Sequence, residues 1–423
     1  MIGNQSNWAG NYTYSAARLH RPETVEQVQE LVSRCSKLKA LGSRHSFNGI
    51  ADSPEDLISL EHFDHVVALD RERRTVTVEA GVRYGQLCRQ LHREGYALHN
   101  LASLPHISVA GACATATHGS GDGNGNLATA VSALEMVTAD GEVVVLSREH
   151  HSEPFQGAVV GLGGLGVVTK LTLDIVPMFE MRQDVYENLP LAQLEDQFDA
   201  IVSSAYSVSL FTDWRSARFN QVWLKRRVTD GAAFTLEPEW FEATLATSQR
   251  HPIESVSAVN CTEQMGIPGP WYDRLPHFRM DHTPSSGEEL QTEYLVPRQH
   301  AVAAFRAIAR LGDQVAPLLQ ISEVRTIAGD TLWMSPCFQQ ACVAIHFTWE
   351  KNWPAVRQLL PLIEEQLAPL NARPHWGKLF TMPATRLPSL YEKLPDFQQL
   401  LRSYDPQGKF RNAFLDTYIF GAH

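Results

Sequence analysis

Gly42-Ser43-Arg44-His45-Ser46-Phe47 follows a short apolar approach, Leu38-Lys39-Ala40-Leu41, and together they read as a buried strand ending in a loop. A glycine, a small hydroxyl residue and a cation at a strand end form a backbone cradle for a phosphate-bearing ligand. The histidine inside that cradle, His45, then lies beside a ligand rather than in a core. A second stretch, Leu101-Ala102-Ser103-Leu104-Pro105-His106 through Ser108, Gly111, Thr115, Ala116, Thr117 and His118 to Gly121, is nearly uncharged and rich in Ala, Gly, Ser and Thr. Small residues let the backbone approach a flat ligand closely, and their N–H groups and hydroxyls supply hydrogen bonds. The two stretches are read as serving one ligand.

Around them, residues 1–180 alternate helical and strand patterns. Pro22-Glu23-Thr24-Val25 opens a helix with Val25, Val28, Leu31 and Val32 on one face. Thr75 to Gly81 is strand-like, Tyr84 to Arg93 is a short helix, and Val131–Val137 and Glu142–Leu146 flank the hairpin dipeptide Asp140-Gly141. Val167 to Ile175 alternates as a strand with one apolar face. From about Met181 the texture changes: tryptophans and prolines become frequent, the glycine-rich loops stop, and Val302–Leu311 and Val356–Leu367 read as helices between strands. The chain is therefore read as α+β, with one domain at 1–180, a second at 181–375, and a C-terminal segment, 376–423, that returns to the first.

Bulk properties remove several classes of function. The 423 residues, 44% apolar and 20% charged, are enough for two cores of a soluble globular protein. A formal net charge of −11 leaves no electrostatic footprint for nucleic acid. Met1–Asn7 has neither the basic start nor the apolar run of a secretory signal, and no apolar stretch approaches the roughly 20 residues that cross a bilayer. The cysteines, at 35, 88, 113, 261, 337 and 342, contain no CxxC pair and suit reduced thiols in the cytoplasm. Gly161-Leu162-Gly163-Gly164-Leu165-Gly166 fits GxGxxG, but strand-like alternation follows it where a helix should open, so it is read as a tight turn near a cofactor. Asp122-Gly123-Asn124-Gly125-Asn126 begins like a calcium loop, yet Leu127 and Ala133 stand where glycine and glutamate are needed, and no metal site is assigned.

Taken together, the two small-residue stretches resemble the vanillyl-alcohol-oxidase type of flavoprotein, whose N-terminal domain, of the PCMH type, binds FAD. Further along, Gln291-Thr292-Glu293-Tyr294, Ser322-Glu323-Val324-Arg325-Thr326, His346-Phe347-Thr348-Trp349 and His375-Trp376-Gly377-Lys378 resemble, in order, the pattern of the sugar-alcohol (alditol) oxidases. The aldonolactone oxidoreductases share a related Glu-x-Arg and His-Trp-x-Lys. The resemblance implies an FAD-binding PCMH-type domain plus a substrate (cap) domain with an antiparallel sheet and helices. It implies FAD contacts from Leu41, Gly42, Ser43, Arg44, His45, Ser46, Ser103, Ser108, Gly111, Thr115, Ala116, Thr117, His118 and Val168, with His45 bonded covalently to the flavin 8α-methyl. Some members carry a second flavin link through a cysteine before a proline; Leu104 holds that place here, so one link is expected.

The implied reaction is oxidation of the terminal primary alcohol of an alditol such as xylitol or sorbitol, with oxygen reduced to hydrogen peroxide. An alcohol is a poor acid, so the nascent alkoxide needs cations aimed at its oxygen. Arg325 and Lys378 are the natural cations. Glu323, two residues from Arg325, shares its strand face and can hold both it and substrate hydroxyls. Ser103, Gln291 and Thr348 would complete a polyol pocket, with His346 as proton acceptor. Ala102, small beside Ser103, leaves room for oxygen. The expected partners are a small polyol and O2, in a cytoplasmic monomer without nucleic acid or membrane. An aldonolactone oxidase or dehydrogenase is the alternative.

Overall fold

The computed structural model describes residues 5–228, 236–281 and 288–421, so Met1–Asn4 of the N-terminal reading lie outside the described residues. Thr24 caps the helix Val25–Arg34 by accepting from the Gln27 N–H, and the helix buries Val28, Leu31 and Val32. The chain then enters the strand Leu38–Leu41, an edge of a 3-stranded sheet in which Asp56–Ser59 pairs in parallel with both Arg18–His20 and Leu38–Leu41. Gly42 follows directly, so the loop leaves from the end of a strand, as the sequence implies. A 5-stranded antiparallel sheet adjoins it, with Thr75–Glu79, Val131–Val137, Val143–Ser147 and Val167–Asp174 among its strands. Its hairpin turns at Asp140-Gly141, where Gly141 has φ +87° and the Thr138 hydroxyl donates to Asp140 at 2.6 Å.

The large sheet is 10-stranded and antiparallel, and its centre runs Ser207–Thr212, Leu319–Ile327, Cys342–Glu350, Glu289–Pro297. Strict alternation sorts the side chains of these strands. Leu290, Tyr294, Val324, Ile345 and Phe347 join a core with Phe305 and Ile308 of the helix Ala301–Ala309 and Leu360 and Ile363 of the helix Trp353–Leu367. The opposite face carries Gln291, Glu293, Glu323, Arg325, His346 and Thr348, and these are buried too. The sheet is thus covered on both sides, by helices on one and by the N-terminal sheets and their loops on the other.

Two straps join the parts. The Asp122–Asn126 stretch, excluded above as a calcium loop, ties the small-residue segment to the large sheet. Gly121 bridges Ile327, the Ala328 N–H donates to Asn124 O, Asn126 Nδ2 donates to Asp330 at 2.8 Å, and Arg298 pairs with Asp122 at 2.5 Å. At the C-terminal end, Lys409 donates to the carbonyls of Val32 and Ala139, and buried Asn412 Nδ2 contacts the carbonyls of Gly49, Ile50 and Asp52 at 3.0, 3.1 and 2.8 Å. Replacing Asn412 with alanine leaves these carbonyls short of a donor and removes the N-cap of the helix Ala413–Tyr418. The expected loss in chemical denaturation is about 2 kcal/mol; a loss below about 0.5 kcal/mol contradicts the strap's role.

Candidate active site

A cavity of ≈510 Å³ opens between the first unit and the polar face of the large sheet. It continues into a second, of ≈400 Å³, with Ala40, Leu41, Gly42, Ser43, Arg44, Gly111, Ala114 and Gly163 lining both. One long cleft therefore runs from Glu323, Arg325 and Lys378 at one end to Arg21, Arg83 and Val168 at the other. Leu41, Gly42, Ser43, Arg44, His45, Ser46, Ser103, Ser108, Gly111, Thr115, Thr117, His118 and Val168 all line it. Ala116 does not. It sits in the core at φ +52°, and its left-handed backbone is what turns Thr115 and Thr117 toward the cleft.

The cleft wall is built for close backbone approach. An added Cβ would lie 3.0 Å from Ser108 Oγ at Gly42 and 2.8 Å from it at Gly111, and Ser108 Oγ itself is buried without a partner among the described residues. Arg44 holds φ +62°, a left-handed turn that Asn-like or glycine residues usually supply. His45 Nδ1 lies 3.1 Å from Ser43 Oγ, and the ring stacks on Trp8 with centroids 5.5 Å apart. Burial, helped by Lys378 and His106, pushes the His45 imidazole down to about 4, so it is neutral. The glycine-rich turn lies where the sequence suggests: Leu162 and Gly163 line the cavity, and buried Lys39 donates to their carbonyls at 3.1 and 2.9 Å. These features fit an extended dinucleotide with a flat head.

The same loop is fastened to the cation loop. The Phe47 N–H donates to Gly377 O, Asn48 Nδ2 donates to the carbonyls of Trp376 and Lys378 at 2.9 and 2.8 Å, and Lys378 Nζ sits over the Phe47 ring. On the sheet, Glu323 is in register with His346, and His346 with Glu293, so three ionisable side chains stand abreast. Arg325 Nη2 donates to Glu293 at 2.8 Å and Nη1 to Ser103 Oγ at 3.3 Å, while its Nε is 3.6 Å from Glu323. Burial works to raise the Glu293 carboxyl, but His118 (3.2 Å), Arg325 and His346 (3.6 Å) hold it well below the ordinary carboxylate range. Glu323 is likewise held low against its burial, by Arg325 and by His277 Nε2 at 2.7 Å. Lys378 donates to Gln291 Oε1, whose amide nitrogen donates to Glu289, and burial pulls the Lys378 ammonium down to about 8. His346 Nε2 lies 3.2 Å from Thr348 Oγ1, and burial lowers its imidazole.

The structure thus gathers Ser103, Gln291, Glu323, Arg325, His346, Thr348 and Lys378 around one cavity. It adds residues that the sequence reading did not single out. Arg325's nearer carboxylate is Glu293, not Glu323. Glu293 lay in the quoted Gln-Thr-Glu-Tyr motif, two residues from Gln291 and so on the same strand face. His277, His375 and Trp8 also line the cavity, from loop or turn positions without periodicity.

A cleft of this form, with a small-residue wall and a polar, doubly cationic end, suits an FAD-dependent oxidase of the vanillyl-alcohol-oxidase type. Residues 16–147 match the FAD binding domain family, and residues 283–418 match the D-arabinono-1,4-lactone oxidase family. The chain is 49% identical to the alditol oxidase of a Streptomyces species, over 98% of this chain and 99% of that one. It is 26% identical to mouse L-gulonolactone oxidase over 98% of both chains. Cholesterol oxidase from B. sterolicum superimposes with a TM-score of 0.76 over 98% of this chain and 96% of that chain at 14% identity, which reflects a shared fold of PCMH FAD-binding unit and substrate domain. The chain belongs to the alditol oxidase family and binds FAD.

Glu293→Gln keeps the shape but removes the charge that Arg325, His118 and His346 face. Because this leaves a buried guanidinium without its nearest counter-ion, a loss of about 3 kcal/mol in denaturation is expected; a loss under about 1 kcal/mol shows that Glu293 does not hold the site together.

Proposed function

We propose that the protein oxidises the terminal primary alcohol of acyclic alditols such as xylitol and sorbitol to the aldose, producing hydrogen peroxide. The observation that carries this is the convergence of Arg325 and Lys378 with Ser103, Gln291, Glu323 and Thr348 in one cavity beside the His45 loop. A polyol presents a row of hydroxyls, each both donor and acceptor, and this lining offers charged and neutral groups of both kinds. The units 1–180, 181–375 and 376–423 act as FAD-binding domain, substrate domain and returning segment.

Bound there, FAD would supply a hydride acceptor for the alcohol carbon and a route for the two electrons to oxygen. Leu41–Ser46, Ser103, Ser108, Gly111, Thr115, Thr117, His118 and Val168 would hold it, with Ala116 setting the turn. A neutral imidazole is the nucleophilic form, and the depressed basicity of His45 suits it to a single covalent link to the flavin. Arg325 and Lys378 stabilise negative charge on the substrate oxygen. With its Nδ1 facing Glu293, His346 presents Nε2 as a proton acceptor beside Thr348. Glu323 accepts from the neighbouring substrate hydroxyls. The reading places O2 and the polyol as its partners, for a cytoplasmic monomer; among the described residues no helix is long and apolar enough to cross a membrane. The lactone reading has weaker support, since the lactone oxidase of mouse is matched at 26% identity against 49% for the alditol oxidase.

Acid-precipitated protein should stay yellow and a His45→Ala precipitate should release its colour; release from the unaltered protein excludes the covalent link. Purified enzyme given xylitol should produce peroxide, and Arg325→Met should lower that rate roughly a hundredfold or more. The cation at Lys378 is lost as pH rises through about 8, so kcat/KM should fall above that pH. Lys378→Met should show a low, flat profile there, and a retained alkaline limb would assign it to another group.

A further inference from the structure

Lys225 lies on the strand Arg218–Val228 and is wholly buried. Among the described residues its ammonium takes part in no ion pair. Its Nζ donates to the carbonyls of Arg274, Leu275 and Pro276 at 2.8, 2.6 and 2.9 Å, and a fourth contact, 3.2 Å, is to His277 Nδ1. The other ring nitrogen, His277 Nε2, is 2.7 Å from Glu323 Oε1. The imidazole is boxed by Phe211 and Trp223, with ring centroids 5.5 and 5.1 Å away, so it has little freedom to turn. The backbone N–H groups of His277 and Phe278 both donate to Ser103 O, at 3.1 and 3.3 Å. One residue therefore touches Glu323 through its ring and Ser103 through its backbone.

The ammonium's three hydrogens already meet three carbonyls, and it has no lone pair to receive with. While Lys225 is charged, a hydrogen on the ring nitrogen 3.2 Å away would meet hydrogens, so the unprotonated nitrogen faces it. Burial pulls this ammonium down to about 7, so the arrangement holds below that pH. We propose that Lys225 and His277 are positioning residues for the substrate site: Lys225 keeps Nδ1 as an acceptor, Nε2 then carries the ring hydrogen and donates it to Glu323, and Glu323 is held ionised and aimed at the substrate hydroxyls. The charged groups facing His277 are Lys225, Glu323 and Arg325, and those facing Lys225 are Glu323, Arg274 and Arg325, with the Cys261 thiol. Burial pushes the His277 imidazole down to about 4, which agrees with a neutral ring of fixed tautomer. The arrangement is the one by which a buried partner fixes the tautomer of a metal-binding or catalytic histidine, here transferred to a carboxylate. Without it, the ion-pair partner left to Glu323 among the described residues is Arg325, at 3.6 Å and drawn away by Glu293.

The proposal rests on the polyol reading for the role of Glu323, and xylitol turnover by the unaltered holoenzyme is the control for that reading. His277→Leu should lower kcat/KM for xylitol roughly ten- to a hundredfold as Glu323 loses its donor. His277→Gln, which can accept from Lys225 and donate to Glu323, should recover most of the loss. Lys225→Met should resemble His277→Leu. If the leucine and methionine variants fold less stably but keep the kcat/KM of the unaltered enzyme, the pair only ties the 274–277 turn and the proposal fails. Neutron diffraction of the unaltered holoenzyme reads the tautomer directly and needs no variant. A hydrogen on Nε2 and none on Nδ1 is expected; a hydrogen on Nδ1 overturns it.

Discussion

The site depends on one buried ion pair, Arg325 with Glu293. Their side chains are 7% and 2% exposed, and either charge left alone in that position would be strongly destabilising. The pair becomes tolerable only inside a network, and His118, which completes it, comes from the small-residue segment that faces the large sheet. The 42–48 loop is fastened to the carbonyls of Trp376 and Lys378 on the other side of the cavity. The 42–48 loop and the cations Arg325 and Lys378 are consequently set against each other by hydrogen bonds at both walls, which suits chemistry that tolerates little misplacement.

This network also divides labour between the acids. Glu293 takes the shorter contact to Arg325 and stays ionised inside a ring of cations and imidazoles. Glu323 is thereby left with a longer contact to the guanidinium and a histidine behind it, free to face substrate. On the same face Gln291 plays a related part, accepting from Lys378 and donating to Glu289. Its amide orientation follows from those two partners, since only the oxygen can face an ammonium.

Much of this was legible in the chain because local rules and tertiary structure agree. The strand Val131–Val137 and the helix Tyr84–Arg93 fall at the expected residues, since their apolar periods match the faces they bury. The same spacing rule that placed Glu323 beside Arg325 would have placed Glu293 beside Gln291, but a carboxylate there carries no local sign that three partners converge on it. Lys225 interrupts the apolar run Val222-Trp223-Leu224, which is a signal, yet its acceptors lie in a turn about fifty residues away along the chain. His277 and Trp8 sit in irregular segments, where periodicity says nothing. The Gly161–Gly166 turn shows the converse: its letters suggest a dinucleotide fingerprint, while Leu162 at φ +51° and Gly163 at φ +64° belong to a turn that Lys39 holds against the cavity.

The chain's relatives include an alditol oxidase and an L-gulonolactone oxidase, so the pocket's preference for a flexible chain of hydroxyls is the central claim. Anaerobic stopped-flow mixing of the purified enzyme with xylitol, compared with L-gulono-1,4-lactone, tests it directly. The account predicts rapid, saturable bleaching of the flavin by xylitol and slow or no bleaching by the lactone. Bleaching by the lactone alone would contradict it.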